Sequence, residues 1–220
     1  MEYTFDKISD LVIETNNQFL IAAKPPGMPS VPDKTNDKSL KSILEAYAKK
    51  DLYVITRLDR PVGGLMVFAK SNNAATALTE QIKKRTFKKS YLAVVEGHPD
   101  KEKLSLKHFH IKKGNKAKIF DKASEESKEI QLNYDTRKKL DRYTILDVDL
   151  ITGRFHQIRA QLSHIGFPVK GDVKYGARRG NKDRSVDLIS YKIEFVHPTS
   201  HKKVDYTADL AKYGGLWKFA

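Results

Sequence analysis

No cysteine occurs among the 220 residues of the sequence. Its absence excludes disulfide bonds, cysteine nucleophiles, iron–sulfur clusters and cysteine-ligated zinc sites. Long apolar runs are also missing, because no stretch approaches the ~18 apolar residues that a membrane-spanning helix needs. The N-terminus lacks the basic and apolar segments of a secretion signal. We therefore expect a cytoplasmic protein without a membrane partner.

Negative charge is scarce relative to positive charge: 27 Asp and Glu face 41 Lys and Arg, which leaves a formal net charge of +14. Each phosphate that Lys or Arg neutralises releases condensed counterions, so such an excess favours polyanionic partners. The same balance also fits a basic protein that binds no nucleic acid. Composition favours a nucleic-acid partner and leaves the chemistry open.

The apolar content is that of a folded protein, with 40% hydrophobic and 10% aromatic residues. Strand-like alternation is more frequent than helical spacing and does not alternate regularly with it, so we predict an α+β fold with a mostly antiparallel sheet. The predicted strands are residues 11–13, 19–23, 52–58, 65–69, 91–95, 129–134, 143–150, 188–196 and 203–207. The predicted helices are residues 39–49 with Asp37 or Ser39 as the cap, 72–84 after an N-cap at Ser71, and 154–165 with Gly166 at the C-terminal cap position. Residues 101–129 are predicted to form short strands with solvated connections.

The first segment that could carry chemistry is TRLDRPVGGL, residues 56–65. A strand through residues 52–58 would carry Arg57 and Asp59 on the same side. The Pro and Gly residues that follow predict a turn where the backbone can approach a ligand closely. An Asp before a turn also commonly caps backbone amides, and flanking arginines commonly pair with it. The pattern alone leaves both interpretations open.

The second segment is TGRFHQIR, residues 152–159. A glycine precedes a predicted helix, whose free amides and dipole favour an anion. Arg154, Gln157, Gln161 and His164 would share one face of this helix. That face could bind phosphate, sugar hydroxyls or a carboxylate, or it could simply be the solvated side of an amphipathic helix. Tyr91, at the start of an apolar strand, and the glycine-bounded loop 171–176 are typical structural features when taken singly.

Together these segments resemble the RluA-type pseudouridine synthases. The family signature is Arg-Leu-Asp, a small-residue turn and Gly-Leu-Leu, which RLDRPVGGLMVFAKS resembles. KSYLAV is similar to the family's tyrosine strand, and TGRFHQIRAQLSHIGFPVKGDVKYG to its helix and following loop. AKPPG is similar to the Lys-Pro-x-Gly loop, and FVHP to a late strand. The resemblance runs in order from about residue 11 to residue 210.

The sequence departs from the family pattern at three places. Thr56 replaces the usual His before Arg-Leu-Asp, Val62-Gly63 replaces Thr-Ser, and Ile189-Ser190-Tyr191 replaces Leu-His-Ala. None of these positions is a presumed catalytic residue. Thr56 and Val62 belong to the same turn as Asp59, so they bear on which RNA fits.

The resemblance implies a uridine-isomerising enzyme with RNA, ribosomal or transfer, as its partner and with neither metal nor cofactor. Asp59 would be the nucleophile in a reaction that breaks the bond from ribose to uracil nitrogen 1 and remakes it to carbon 5, by covalent attack or through a glycal. Arg154 would pair with Asp59 and keep it ionised. Tyr91 would stack on the uracil and accept or relay the carbon-5 proton. The residues expected to bind RNA, or to support those that do, are Arg57, Arg60, Gly64, Leu65, His156, Gln157 and Arg159.

The same resemblance implies a pseudouridine synthase fold: a mixed, mostly antiparallel sheet in two halves, with flanking helices and a central RNA cleft that has Asp59 on its floor. We expect one catalytic domain over residues 1–220 and a monomer. No separate N-terminal RNA-binding domain is expected, since only about ten residues precede the first matching strand. Residues 101–128 and 177–184 are the expected selectivity loops, because they are polar and weakly patterned.

Three alternatives remain open at this point. A metal-dependent nuclease could use Asp147, Asp149, His108 and His110, although their spacing is unconvincing. A methyltransferase is disfavoured because no predicted strand leads into a Gly-x-Gly loop. A non-catalytic RNA-binding or ribosome-assembly module of the same fold is the third alternative, and only turnover separates it from an enzyme.

Overall fold

The computed structural model describes residues 7–220, which form two compact units. The strands are β1 (Val12–Thr15), β2 (Phe19–Lys24), β3 (Tyr53–Val54), β4 (Gly63–Ala69), β5 (Lys88–Glu96), β6 (Lys103–Lys113), β7 (Lys116–Phe120), β8 (Lys128–Lys139), β9 (Tyr143–Leu150), β10 (Leu188–Val196) and β11 (Lys203–Thr207). The α-helices are α1 (Leu40–Ala48), α2 (Asn72–Lys83) and α3 (Gln157–His164). Short 3-10 helices lie at Ile8–Leu11, Val173–Tyr175, Leu210–Tyr213 and Gly215–Phe219. The predicted α+β class is confirmed.

The first unit comprises the described residues up to Lys89 together with Ile189–Lys218. Its strands pair in the order β1-β2-β4-β10, with β11 on β10 and β3 on β4. All of these pairs are antiparallel except β4 with β10, where Gly63 and Gly64 lie beside Ile189 and Ser190 in parallel register. Every residue of β2 and β4 is buried. Their nearly continuous apolar sequences are therefore those of strands covered on both faces.

The second unit comprises Ser90–Leu188 with Phe219–Ala220. Its antiparallel strands pair in the order β5-β9-β8-β6-β7. Helix α3 contacts β6 and β7, and Ala160 packs there against Ala117, Tyr175 and Ile119. β6 alternates buried and exposed residues over most of its length, as expected for a strand with one solvated face.

Serine caps begin both helices of the first unit. The Ser39 hydroxyl accepts from the Ser42 amide at 3.1 Å, and the Ser71 hydroxyl accepts from the Ala74 amide at 3.2 Å. Each bond satisfies an amide that the first helical turn leaves without a partner. Both predicted helices are confirmed, with Ser39 rather than Asp37 as the cap of α1.

Two predicted strands differ from the structure. Residues 52–58 form a strand only at Tyr53–Val54, so Arg57 and Asp59 lie in an extended loop and not on a strand. Residues 101–129 contain the predicted short strand and solvated connection at β7 and residues 121–127, but also the eleven-residue β6. The length of β6 was missed because polar residues occupy its exposed face and conceal the pattern.

The helix predicted from Arg154 begins instead at Gln157. The preceding residue, His156, is left-handed with φ 53°, and it ends the loop 152–156 before the helix starts. The C-terminal prediction is confirmed: Gly166 has φ +89°, its amide donates to Ser163 at 3.0 Å, and the Phe167 amide donates to Leu162 at 2.9 Å. Among the described residues no helix has both the length and the apolarity to cross a bilayer.

Candidate active site

Asp59 lies half-buried in a tight turn of the first unit, between β3 and β4. The Val62 amide donates to the Asp59 carbonyl at 3.0 Å, which closes the turn. Immediately before it, the Ser30 hydroxyl donates to the Leu58 carbonyl at 2.6 Å and accepts from the Leu58 amide at 3.2 Å. Arg57 is exposed. The backbone on both sides of the carboxylate is therefore fixed by hydrogen bonds, while the neighbouring guanidinium of Arg57 is open to solvent.

Lys24, at the end of β2, is a fully buried cation beneath this turn. Its ammonium donates to the carbonyls of Pro25 at 2.9 Å, Met28 at 2.8 Å and Arg60 at 3.1 Å. Burial lowers the pKa of Lys24 to about 7, while the Asp59 charge acts in the opposite direction and Arg60 adds to the lowering. The three carbonyls match the three protons of an ammonium. Lys24 thus joins the Lys-Pro-Pro-Gly loop to the turn that carries Asp59.

Arg60, an expected RNA-binding residue, has its side chain occupied by contacts within the first unit. Its Nε donates to the Gly27 carbonyl at 2.9 Å, one terminal nitrogen donates to the Thr35 hydroxyl at 2.9 Å, and the other pairs with Asp37. The Arg60 carbonyl also accepts from the Gly27 amide at 2.8 Å. Arg60 therefore holds the loop 27–37 against the Asp59 turn.

Gly64 and Leu65, also expected to bind RNA, lie inside the first unit's sheet. Gly64 has φ +115°, and a Cβ atom there would lie 2.3 Å from the Ser190 carbonyl oxygen. Only glycine fits that close approach. Leu65 is 1% exposed in β4. These two residues pack the sheet, so the Leu65 side chain is not available to RNA and Gly64 serves the close approach of β4 to β10.

Tyr91 lies in the second unit on β5, opposite Val148 of β9, and is 6% exposed. Arg154 lies in the same unit and is exposed in the loop before α3. The Arg154 amide donates to Gln157 Oε1 at 3.0 Å, and the Thr152 hydroxyl donates to the same oxygen at 2.9 Å. Because Gln157 Nε2 donates to the Gln131 carbonyl at 3.1 Å, the loop is fixed to β8.

Gln157 is 2% exposed, and Arg159 is 4% exposed. Arg159 donates two hydrogen bonds to Asp172, at 2.6 and 2.8 Å, and its guanidinium lies over the Tyr175 ring at 5.2 Å. Both side chains are thus engaged inside the second unit, and the expectation that they contact RNA or support residues that do stays a prediction.

His156, half-buried, is held by a ring stack and by a hydrogen bond. Its ring stacks on Phe155 at 3.8 Å, and its Nδ1 lies 2.8 Å from the Tyr175 hydroxyl. That hydroxyl also accepts from the Ala117 amide at 2.8 Å, so it links His156 to β7.

Sequence reasoning missed Asp172 and Tyr175 as supporting residues and did not single out Lys24. Their signals were present: Asp172 and Tyr175 lie in the glycine-bounded loop 171–176, and Lys24 begins the Lys-Pro-Pro-Gly loop. No local pattern predicts the bonds from Asp172 to Arg159, from Tyr175 to His156 or from Lys24 to Arg60, because these partners are 13 or more positions apart.

The four residues of the nuclease alternative are not gathered in the part of the chain that the structure describes. Asp147 pairs with Arg137 at 3.4 Å, Asp149 accepts from the Ser90 hydroxyl at 3.1 Å, and His110 Nε2 lies 3.0 Å from the Phe155 carbonyl. His108 instead lies in a group with Asp121 and His164 whose ligand atoms are within 4.8 Å of one another.

That group of three is a poor metal site in its present arrangement. Gln161 Nε2 lies 3.0 Å from His108 Nδ1. The Gln161 oxygen accepts from Gln157 Nε2 at 2.9 Å, which fixes the NH2 group of Gln161 toward His108. Nδ1 therefore accepts, and Nε2 of a neutral His108 carries the proton that a metal at Nε2 would need to displace. Burial lowers the pKa of His108, which favours this neutral form.

The comparisons with known proteins agree with one another. The family model described as RNA pseudouridylate synthase matches residues 18–164. Ribosomal large subunit pseudouridine synthase C of Buchnera aphidicola subsp. Baizongia pistaciae is 32% identical over 92% of this chain and 67% of its own length. tRNA pseudouridine synthase C of Haemophilus influenzae is 31% identical over 87% of this chain and 90% of its own. The solved structure of human RNA pseudouridylate synthase domain containing 1 has a TM-score of 0.77 at 21% identity, covering 94% of this chain and 86% of that one.

The structural likeness to the human protein confirms the predicted pseudouridine synthase fold. The matched segment contains Asp59, Tyr91 and Arg154, and the sequence relatives extend over most of the chain. The resemblance drawn from the motifs is thereby confirmed, and the chain belongs to the RNA pseudouridylate synthases, a family of isomerases.

Proposed function

We propose that this chain converts specific uridines of structured RNA to pseudouridine, with Asp59 as the nucleophile. The observation that carries the proposal is the position of Asp59 within the family match, in an Arg-Leu-Asp sequence whose backbone is fixed from both sides. Such a turn presents one carboxylate in a defined position to a substrate, which is what nucleophilic catalysis requires.

The reaction is balanced without an added reactant. The bond from ribose carbon 1′ to uracil nitrogen 1 breaks, the base rotates, and carbon 1′ bonds to uracil carbon 5. Carbon 5 then loses its proton and nitrogen 1 gains one, so the product is an isomer. The Asp59 carboxylate either bonds to carbon 1′ or assists glycal formation. A uridine in a paired region must first leave its stack, at a cost of a few kcal/mol.

Tyr91 and Arg154 have distinct proposed roles. The Tyr91 ring stacks on the uracil, and its hydroxyl accepts or relays the carbon-5 proton. Arg154 supplies the cation that keeps the nucleophile ionised. The solvent-open guanidinium of Arg57 takes the place of the extruded base or binds its phosphate.

Both ribosomal and transfer RNA are proposed substrates. The names of two relatives carry this proposal, since one acts on the ribosomal large subunit and the other on tRNA. We extend the proposal to a cytoplasmic, monomeric protein with one catalytic domain. The chain passes between the two units inside β5 and inside β10, whereas independent domains are usually joined by exposed linkers.

The test is Asp59→Asn, assayed for pseudouridine formation on RNA from a strain that lacks the protein. We expect turnover to fall by several orders of magnitude, because an amide is a poor nucleophile, while RNA affinity stays near that of the wild type. Asp51→Asn is the matched control, since Asp51 is exposed and lies outside the turn. Normal turnover in Asp59→Asn would overturn the nucleophile assignment.

The same assay tests the alternative of a non-catalytic RNA-binding module. If the wild-type protein bound this RNA and left every uridine unchanged, the proposed isomerase activity would be wrong. Mapping the modified positions in the two strains also identifies the substrate uridine.

A further inference from the structure

A pocket of about 860 Å³ lies in the second unit, and none of the candidate active-site residues lines it. Its walls come from the end of β5, the start of β9 and residues 166–181, which follow α3. The volume lies within the ~300–1,000 Å³ that is usual for ligand sites. The second unit therefore has a concave surface of ligand size that the proposed chemistry does not use.

Backbone hydrogen bonds hold the walls of this pocket together. The Gly97 amide donates to the Arg142 carbonyl at 3.0 Å, and the Glu96 amide donates to the Pro168 carbonyl at 3.0 Å. The carboxylate of Glu96 accepts from the Arg178 amide, with its two oxygens at 3.1 and 3.2 Å. The loop that carries Arg178 is thus fixed before any ligand arrives, which lowers the entropic cost of binding.

Three exposed arginines, Arg142, Arg178 and Arg179, line the pocket. Within residues 7–220, none of their side chains forms an ion pair. The carboxylate of Glu96 is already engaged by the Arg178 amide, and the cation of Lys170 is paired with Asp187 at 2.9 Å. The exposed carboxylate of Asp141 also lines the pocket, so the three arginines leave it a net positive charge. That charge is carried by planar groups that suit bidentate binding of phosphate.

Aromatic surface lies beside these cations. Phe167 and Tyr143, both half-buried, line the same pocket. Guanidinium groups that follow a phosphate backbone, together with rings on which bases stack, are the usual means of binding single-stranded nucleic acid. A free small anion would use the charge but not the rings.

We propose that this pocket binds a stretch of the substrate RNA separate from the uridine that is isomerised. Phosphates lie against Arg142, Arg178 and Arg179, and a base stacks on Phe167. The inference rests on the proposed function, because it takes RNA as the substrate. It assigns the pocket to RNA affinity and not to the chemical step.

The test compares a triple variant, Arg142→Gln with Arg178→Gln and Arg179→Gln, with the wild type. Polyuridylate affinity is measured across a salt series, and the single-turnover rate is measured at saturating cellular RNA. Each phosphate contact on a single strand releases ~0.7 counterions, so three lost contacts should reduce the slope of log binding constant against log salt concentration by about 2. Affinity at low salt should fall at least tenfold, while the saturating rate should stay within about twofold of wild type.

The charge-matched control replaces Lys50, Lys84 and Lys202 by Gln, since all three are exposed in the first unit. The same affinity and slope in both triple variants would overturn the pocket assignment, because general charge would then explain the effect. A triple Arg→Lys variant should retain most of the slope. The binding result does not depend on turnover, so a wild-type protein without isomerase activity would disprove the proposed function separately.

Discussion

At the scale of single residues, the unusual group is Lys24, a cation fully buried among three carbonyl oxygens. Its pKa is lowered from 10.5 to about 7, so above that value the folded protein releases a proton that the unfolded chain keeps until about pH 10. The unfolded state therefore binds more protons between these limits, and the free energy of unfolding should rise with pH there.

Lys24→Met should remove this contribution. In urea titrations at pH 7, 8 and 9, the wild-type free energy of unfolding should gain up to about 1.4 kcal/mol per pH unit relative to the variant. Lys88→Met is the control, since Lys88 is exposed, and it should keep the wild-type slope. If the free energy of unfolding changed with pH equally in wild type and Lys24→Met, the pKa of Lys24 would not be lowered in the folded protein. The three carbonyls would then keep the buried amine protonated.

At the scale of elements, the buried side-chain amide of Gln157 and the bonds from Thr152 to Gln131 together hold the loop before α3. Gln157 accepts from the Arg154 amide and the Thr152 hydroxyl and donates to β8, so it positions Arg154. In Gln157→Ala the single-turnover rate should fall roughly 10- to 100-fold, since small misplacements cost about that much, while RNA affinity should change less than threefold.

Ser163→Ala is the matched control, because Ser163 bonds to Tyr175 from the same helix without touching the loop. Its rate should stay close to that of the wild type. If Gln157→Ala weakened RNA binding and left the saturating rate unchanged, Gln157 would be an RNA contact and not a positioning residue.

Elements were predictable from the sequence where their own residues decide the conformation. β10 and β11 were predicted with their observed bounds, and the Ser71 cap and Gly166 end were correct. The start of α3 was predicted three residues too early, because His156 is left-handed and its hydrogen-bond partner Tyr175 lies nineteen positions later, so no local pattern marks it. In the candidate site, motifs identified Asp59, whereas partners distant in sequence, such as Asp172 for Arg159, left no local pattern.

At the scale of the whole molecule, the +14 charge supplies the cations for RNA binding, and the proposed carboxylate nucleophile needs no metal ion. Added cations are therefore needed only to fold the RNA substrate. Activity should be unchanged by EDTA when the RNA has been folded in monovalent salt, because no proposed step uses a metal. The measurement is the initial rate before and after chelation. Loss of activity that Mg²⁺ or Zn²⁺ restores would instead assign a metal to the reaction.

The close approach of Gly64 to Ser190 has a consequence for biosynthesis. The parallel neighbour of β4 is β10, where Ser190 lies beside Gly64. β10 begins 124 positions after Gly64 in the sequence. A nascent chain that ends before residue 188 therefore leaves backbone groups at the start of β4 without that partner. During synthesis the first half of the protein must wait until residues 188–196 have been made, a delay in which chaperone protection of that edge would matter most.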